Sequence, residues 1–174
     1  KIRGAMWTAR CNVPWGPRPN QDSNILALNY YHLYSAVDRA RMLKDYTARG
    51  YTHGVCSVPI DEGGYHHMWP SQPLPLTQAR WDHFLDSVQE RWDAGIAGVF
   101  FAIPDELQDD QAAWAQLEPF FLQERAQRLL RIVILAWEPL KPSAWWVTGW
   151  QWMARVFPNA LRGVHFTPDH DAPG

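Results

Sequence analysis

Apolar positions along the chain fall into two kinds of pattern. The first is the short unbroken run. Ile132-Val-Ile-Leu-Ala136 carries no polar residue, and Ile96 to Ile103 is a second such stretch. Runs this short and this apolar predict strands buried on both faces, as in parallel sheets. The second is the helical stripe. Trp81, Phe84, Leu85, Val88 and Trp92 fall at i, i+3, i+4, i+7 and i+11 behind a Thr77 cap, which predicts an amphipathic helix closed by Gly95.

The rest of the chain follows the same alternation. Residues 2–8 read as a first strand, and the proline-rich stretch 9–24 reads as a long loop. Ser35 and Asp38 form a variant capping box opening a helix through about Arg49, with Val37, Ala40, Met42, Leu43 and Tyr46 as its buried stripe and Gly50 as its terminator. Tyr51 to Val58 is predicted as the second strand. A helical region over roughly 108–128 is expected to break near Pro119. Ser143 is placed to cap a helix that ends at Pro158-Asn159, and Val164–Thr167 is predicted as a short fifth strand.

Strands alternating with helices imply parallel pairing through right-handed crossovers. A doubly wound sheet and a (β/α)₈ barrel both fit this order. The strand-to-helix loops are long and rich in Trp, Asp, Glu and His, whereas the returns at Gly50 and Gly95 are tight. The loop after the first strand is neither G-x-G-x-x-G nor a P-loop. Both features favour the barrel, whose site is built on one rim. The expectation is an α/β chain, a single β/α domain over residues 1–174. It would form the first five βα units of a partial (β/α)₈ TIM-type barrel, the N-terminal part of a larger one, since a whole barrel needs ~250 residues.

Composition sharpens this only in places. The 174 residues carry a formal net charge of −2 and no polybasic run, so no nucleic-acid partner is expected. No apolar stretch approaches the ~18 residues of a membrane span. The chain opens at Lys1, and so reads as a processed or excised piece. Cys11 and Cys56 have no metal spacing and do not fix a compartment. Tryptophan is abundant, 11 of 174 residues, more than a core of this size needs. Most are expected in the core and some along a groove.

The candidate chemistry gathers where strands end. Glu138 follows the fourth strand directly and is held by Pro139, as a general acid or base requires. Were Trp137 to exclude water from it, its pKa would rise, making it a proton donor to a leaving oxygen. The bland alternative is a rim acid paired with Lys141. Asp61, Glu62, Asp105, Glu106, Asp169 and Asp171 would reach the same rim, although each alone reads as a solvated loop acid. Two carboxylates about 5–5.5 Å apart suit a retaining glycosidase and about 6.5–9.5 Å an inverting one. Trp7, Trp15, Tyr65, Trp69 and Trp137 offer flat faces for sugar rings, or equally for a protein surface. His66 and His67 are adjacent, and Asp169-His170-Asp171 has no second histidine cluster, so no metal is expected. No cofactor is expected. His53 and His165 lie within predicted strands and read as hydrogen-bonded core or rim residues, with His165 and His66 also counted among the candidate sugar contacts.

Trp137-Glu138-Pro139 resembles the Asn-Glu-Pro of the large cellulase-like clan of (β/α)₈ glycoside hydrolases. That resemblance implies that Glu138 is the acid/base. Trp137 departs from the pattern, standing where the clan has a sugar-contacting asparagine, and the clan's strand-seven nucleophile has no counterpart here. A longer set is similar to glycosidase-like barrel domains in tail-fibre and other structural proteins of tailed bacteriophages. It comprises Asp38-Arg-Ala-Arg-Met42, Arg49-Gly-Tyr-Thr-His53, Trp137-Glu138-Pro139, Phe157-Pro158 and Val164-His-Phe166 through Asp169-His-Asp-Ala-Pro173. The resemblance implies a virion or extracellular setting. A polysaccharide or host-surface glycan would be the partner, cleaved or only bound, with other virion proteins or further chain completing the barrel.

Overall fold

The computed structural model describes residues 25–27, 31, 34–57, 76–103, 111–137 and 145–166. The described elements are β1 (Ile25–Ala27), α1 (Ala36–Ala48), β2 (His53–Ser57), α2 (Gln78–Asp93), β3 (Ala97–Ile103), α3 (Gln111–Phe121), α4 (Glu124–Leu129), β4 (Ile132–Trp137), α5 (Trp145–Val156) and β5 (Leu161–Phe166). The chain is therefore α/β. β1 pairs with β2, β3 with β4 and β4 with β5, all parallel. The strands follow one another in chain order. The strand expected over residues 2–8 lies outside the described residues. β1 was not anticipated, although Ile25-Leu-Ala-Leu28 is an apolar run.

Two compact units divide the chain, residues 1–99 and 100–174, with the boundary inside β3. In the first, helix ends are set by local chemistry. Ser35 Oγ accepts from the Asp38 amide and donates to its carboxylate at 2.7 Å, the expected box. At the other end Gly50 adopts φ 83°, its amide donates to Thr47 O and the Tyr51 amide to Tyr46 O. This doubled bond is a Schellman motif, and the Tyr46 and Tyr51 rings meet edge-on across it, 6.2 Å apart. α2 repeats the device: Thr77 caps it, Gly95 sits at φ 82°, and Ile96 N reaches Arg91 O.

The face of α1 differs from the expected stripe. Val37 is 70% exposed and Ala40 is also exposed, while Arg39 and Leu43 are buried and Met42 and Tyr46 half-buried. The true row is 39, 42, 43, 46, the same helical spacing rotated onto an arginine. Apolarity alone could not find it, because Arg39 is buried through an ion pair to Glu90 on α2. On α2 the expected row holds: Trp81, Phe84, Leu85 and Val88 are fully buried, joined by Ser87 and Arg91, and Trp92 is half-buried.

In the second unit Pro119 lies inside α3 rather than ending it. It sits on the exposed side, where the carbonyl it leaves unbonded can meet water. The break comes at Leu122-Gln123, before α4. α3 and α5 pack through rings: Trp114 and Phe121 each lie 5.9 Å from Trp152, and Phe121 lies 5.1 Å from Phe157. β5 starts at Leu161, three residues before the expected Val164, because the Leu161 amide already donates to Arg131 O. Within each unit the two crossover helices are neighbours. That is the arrangement right-handed crossovers give when successive strands lie side by side.

Candidate functional site

Strand ends of the second unit can be built up from register. β4 and β5 pair without interruption from Ile132↔Leu161 to Trp137↔Phe166, so they finish level. β3 pairs as Phe100↔Val133 and Phe101↔Ile134, then skips to Ile103↔Leu135. The extra residue is Ala102. Such a bulge bends a strand and re-aims whatever follows it, and bulges are enriched beside active sites.

The two faces of β4–β5 are distinct. Arg162, level with Val133, donates from Nη1 to the carbonyls of Phe157 (2.8 Å) and Pro158 (3.2 Å), just past α5. Its row therefore lies on the side where α5 ends, and Val133 and Leu135 in that row are fully buried. The alternate row holds Ile132, Ile134 and Ala136 on β4 and Leu161, Gly163 and His165 on β5. In this row Ile134 is buried and Leu161 is 62% exposed, and among the described residues a Cβ on Gly163 would meet Ile134 at 3.4 Å.

Of the candidates named from sequence, Trp137 is the last residue of β4, level with Phe166, and His165 is level with Ala136. Glu138 follows Trp137 directly in sequence and Asp105-Glu106 follow β3 by two and three residues. Glu138, Asp105, Glu106, Asp169, Trp7, Trp15, Asp61, His66 and Trp69 lie outside the described residues. His53 opens β2, half-buried, with Nδ1 2.7 Å from Thr52 Oγ1, and burial holds its pKa below the ordinary value. Among the described residues no group of three His, Cys, Asp or Glu is placed to hold a metal, and no helix is long and apolar enough to cross a membrane.

The described tryptophans divide. Trp81, Trp114 and Trp152 are buried, and Trp150 is 38% exposed. Charge clusters that composition did not single out are found between helices. Arg39 and Glu90 join α1 to α2, and Glu118 accepts from Trp152 Nε1 and Arg155 between α3 and α5. Their partners are 51 and 37 residues apart, so no local motif announces them. Comparison with family models, curated proteins and solved structures gives no match.

Proposed function

We propose that the chain is a carbohydrate-active domain of partial (β/α)₈ type, with Glu138 as general acid/base at the end of β4. The observation that carries the reading is the level, uninterrupted β4–β5 register that ends one residue before this acid. Alternation continued beyond Trp137 would put Glu138 in the row of Ile134 and Gly163, away from α5. The bulge at Ala102 shifts the count on β3 by one; continued beyond Ile103, that count would bring Glu106, rather than Asp105, level with Glu138. Trp137, His165 and Asp169 would supply stacking and hydrogen bonds to the same sugar, and Trp7, Trp15, Asp61, His66 and Trp69 remain further candidate contacts. The setting that suits this reading is a virion or extracellular one, such as a bacteriophage tail fibre.

A second reading is a non-catalytic glycan-binding or assembly module, favoured by Trp137 standing where the hydrolase clan has asparagine. One series of measurements separates the two. The intact protein is screened on a glycan array, and bound glycans are assayed for hydrolysis with Glu138→Gln beside the parent. Catalysis predicts retained binding and a loss of turnover of roughly a hundredfold to ten-thousandfold. Unchanged turnover removes Glu138 from the mechanism, and binding without any hydrolysis by the parent selects the second reading. Glu106→Gln should weaken glycan binding by about tenfold and Asp105→Asn by less. The reverse order would overturn the register count.

A further inference from the structure

Two side chains distant from Glu90 in sequence make three hydrogen bonds to its carboxylate in the first unit. Glu90 on α2 accepts from Arg39 Nε at Oε2 (2.8 Å), from Arg39 Nη2 at Oε1 (2.8 Å) and from the Tyr31 hydroxyl at Oε2 (3.3 Å). The remaining arm of the fork, Arg39 Nη1, donates to Tyr34 O at 2.7 Å. Tyr31 and Tyr34 lie between β1 and α1 in sequence, so these two residues and the first turn of α1 are tied to α2 through a single acid. The Arg91 guanidinium carbon stands 5.4 Å from the centroid of the Tyr31 ring and completes the cluster. Apolar packing adds to this joint: Leu43, with Met42 and Tyr46 beside it, packs in a small cluster with Tyr31, Tyr51 and Ile96.

We propose that Glu90 is an acid-sensitive latch, whose protonation frees the β1–α1 connection and α1 from α2 while the second unit stays folded. Protonation removes the charge that holds the Arg39 fork and leaves a buried cation without its counter-ion. The ionisable groups facing Glu90 are Arg39 from α1, Tyr31 from the connection, and Asp86 and Arg91 from α2 itself. Hydrogen bonding to Arg39 leads in holding the Glu90 pKa below the ordinary carboxylate value of 4.5. The sign follows from linkage. A depressed folded pKa contributes stability that is full above the unfolded value and is lost as pH falls through the folded one.

The test is hydrogen exchange on the whole chain, read by mass spectrometry and corrected for the intrinsic pH dependence of exchange. Between neutral pH and about pH 3, peptides covering 31–49 should open roughly tenfold faster or more, while β4 and α5 hold their protection. Glu90→Gln should open the same peptides at neutral pH and abolish their pH response. Tyr31→Phe, which keeps the ion pair and removes one hydrogen bond, should retain the pH response with a smaller loss at neutral pH, so the test survives if Glu90→Gln does not fold. Simultaneous loss of protection throughout the chain would overturn the latch, as would an unchanged pH response in Glu90→Gln or its disappearance in a folded Tyr31→Phe.

Discussion

Between α1 and α2 the bridging groups are a guanidinium, a carboxylate and a phenol; between α3 and α5 they are indole and phenyl rings. Both pairs cover parallel strands, and both contain a Glu–Arg ion pair, yet the pairs sit differently. Arg39 is 8% exposed and directs the packing row of α1. Arg155 is 59% exposed, at the margin of a contact that Trp114, Phe121, Trp152 and Phe157 already make. Hydrogen bonding to Arg155 holds Glu118 below its ordinary pKa, as Arg39 does for Glu90, and Trp152 Nε1 adds a donor at 3.0 Å. A lowered carboxylate pKa therefore has a different meaning in each place. In the first unit the acid joins the helices, and in the second it trims a joint made by rings.

The largest effect that would break this contrast is expected at Phe121. Its side chain is fully buried and touches both Trp152 and Phe157. Phe121→Ala leaves a cavity that rigid rings cannot close, and the expected loss is about 3–5 kcal/mol. Urea unfolding followed by near-ultraviolet circular dichroism would measure it. A loss below about 1 kcal/mol would show that the ring cluster is not what joins α3 to α5.

Arg39→Met tests the other side. The methionine keeps the apolar stem and removes the fork, leaving Glu90 with the Tyr31 hydroxyl. The expected loss is about 2 kcal/mol, less than the roughly 3–5 for a fully buried pair, because Glu90 stays partly open to water. Arg39→Met combined with Glu90→Leu should cost less than Arg39→Met alone, since no charge is then stranded. Denaturation of the two variants side by side checks this. A double variant worse than the single would mean that the fork adds net stability rather than only matching a charge.

The same contrast explains what could be read in advance. The rows of α2 and the runs of β3 and β4 were legible because each is apolar and continuous, and continuity is what periodicity detects. The row of α1 was not, because Arg39 enters it through Glu90, 51 residues away, while Val37 and Ala40 look apolar and face water. Pro119 marked the break between α3 and α4 only approximately, since a proline on the exposed side of a helix costs it less than a buried one and the turn falls at Leu122-Gln123. At the candidate site, Trp137 was placed correctly at the end of β4. The bulge at Ala102, which shifts the pairing of β3 with β4 by one residue, has no mark in an unbroken run of apolar residues. Register is a property of two strands, and one strand's sequence does not contain it.

Helix ends give the finest version of the comparison. In the first unit they are closed by glycine: Gly50 and Gly95 both sit near φ 80°, where a side chain is strained, and among the described residues neither has a neighbouring atom within 4 Å of where a Cβ would stand. In the second unit they are closed by side chains. Gln127 Nε2 donates to Phe121 O at 2.7 Å and to Val156 O at 2.8 Å, while Arg162 takes the next two carbonyls. Because both glycines have open space around them, alanine there meets no clash, and only backbone strain remains. Gly50→Ala and Gly95→Ala should therefore each cost about 1 kcal/mol, and nearly the same amount. Thermal melts of the two variants provide the check. If Gly50→Ala proved much the milder, the Tyr46–Tyr51 ring contact across that end would be holding the turn in place of the glycine. The first unit would then rely on aromatic packing as the second does, and the distinction between them would narrow to the single carboxylate at Glu90.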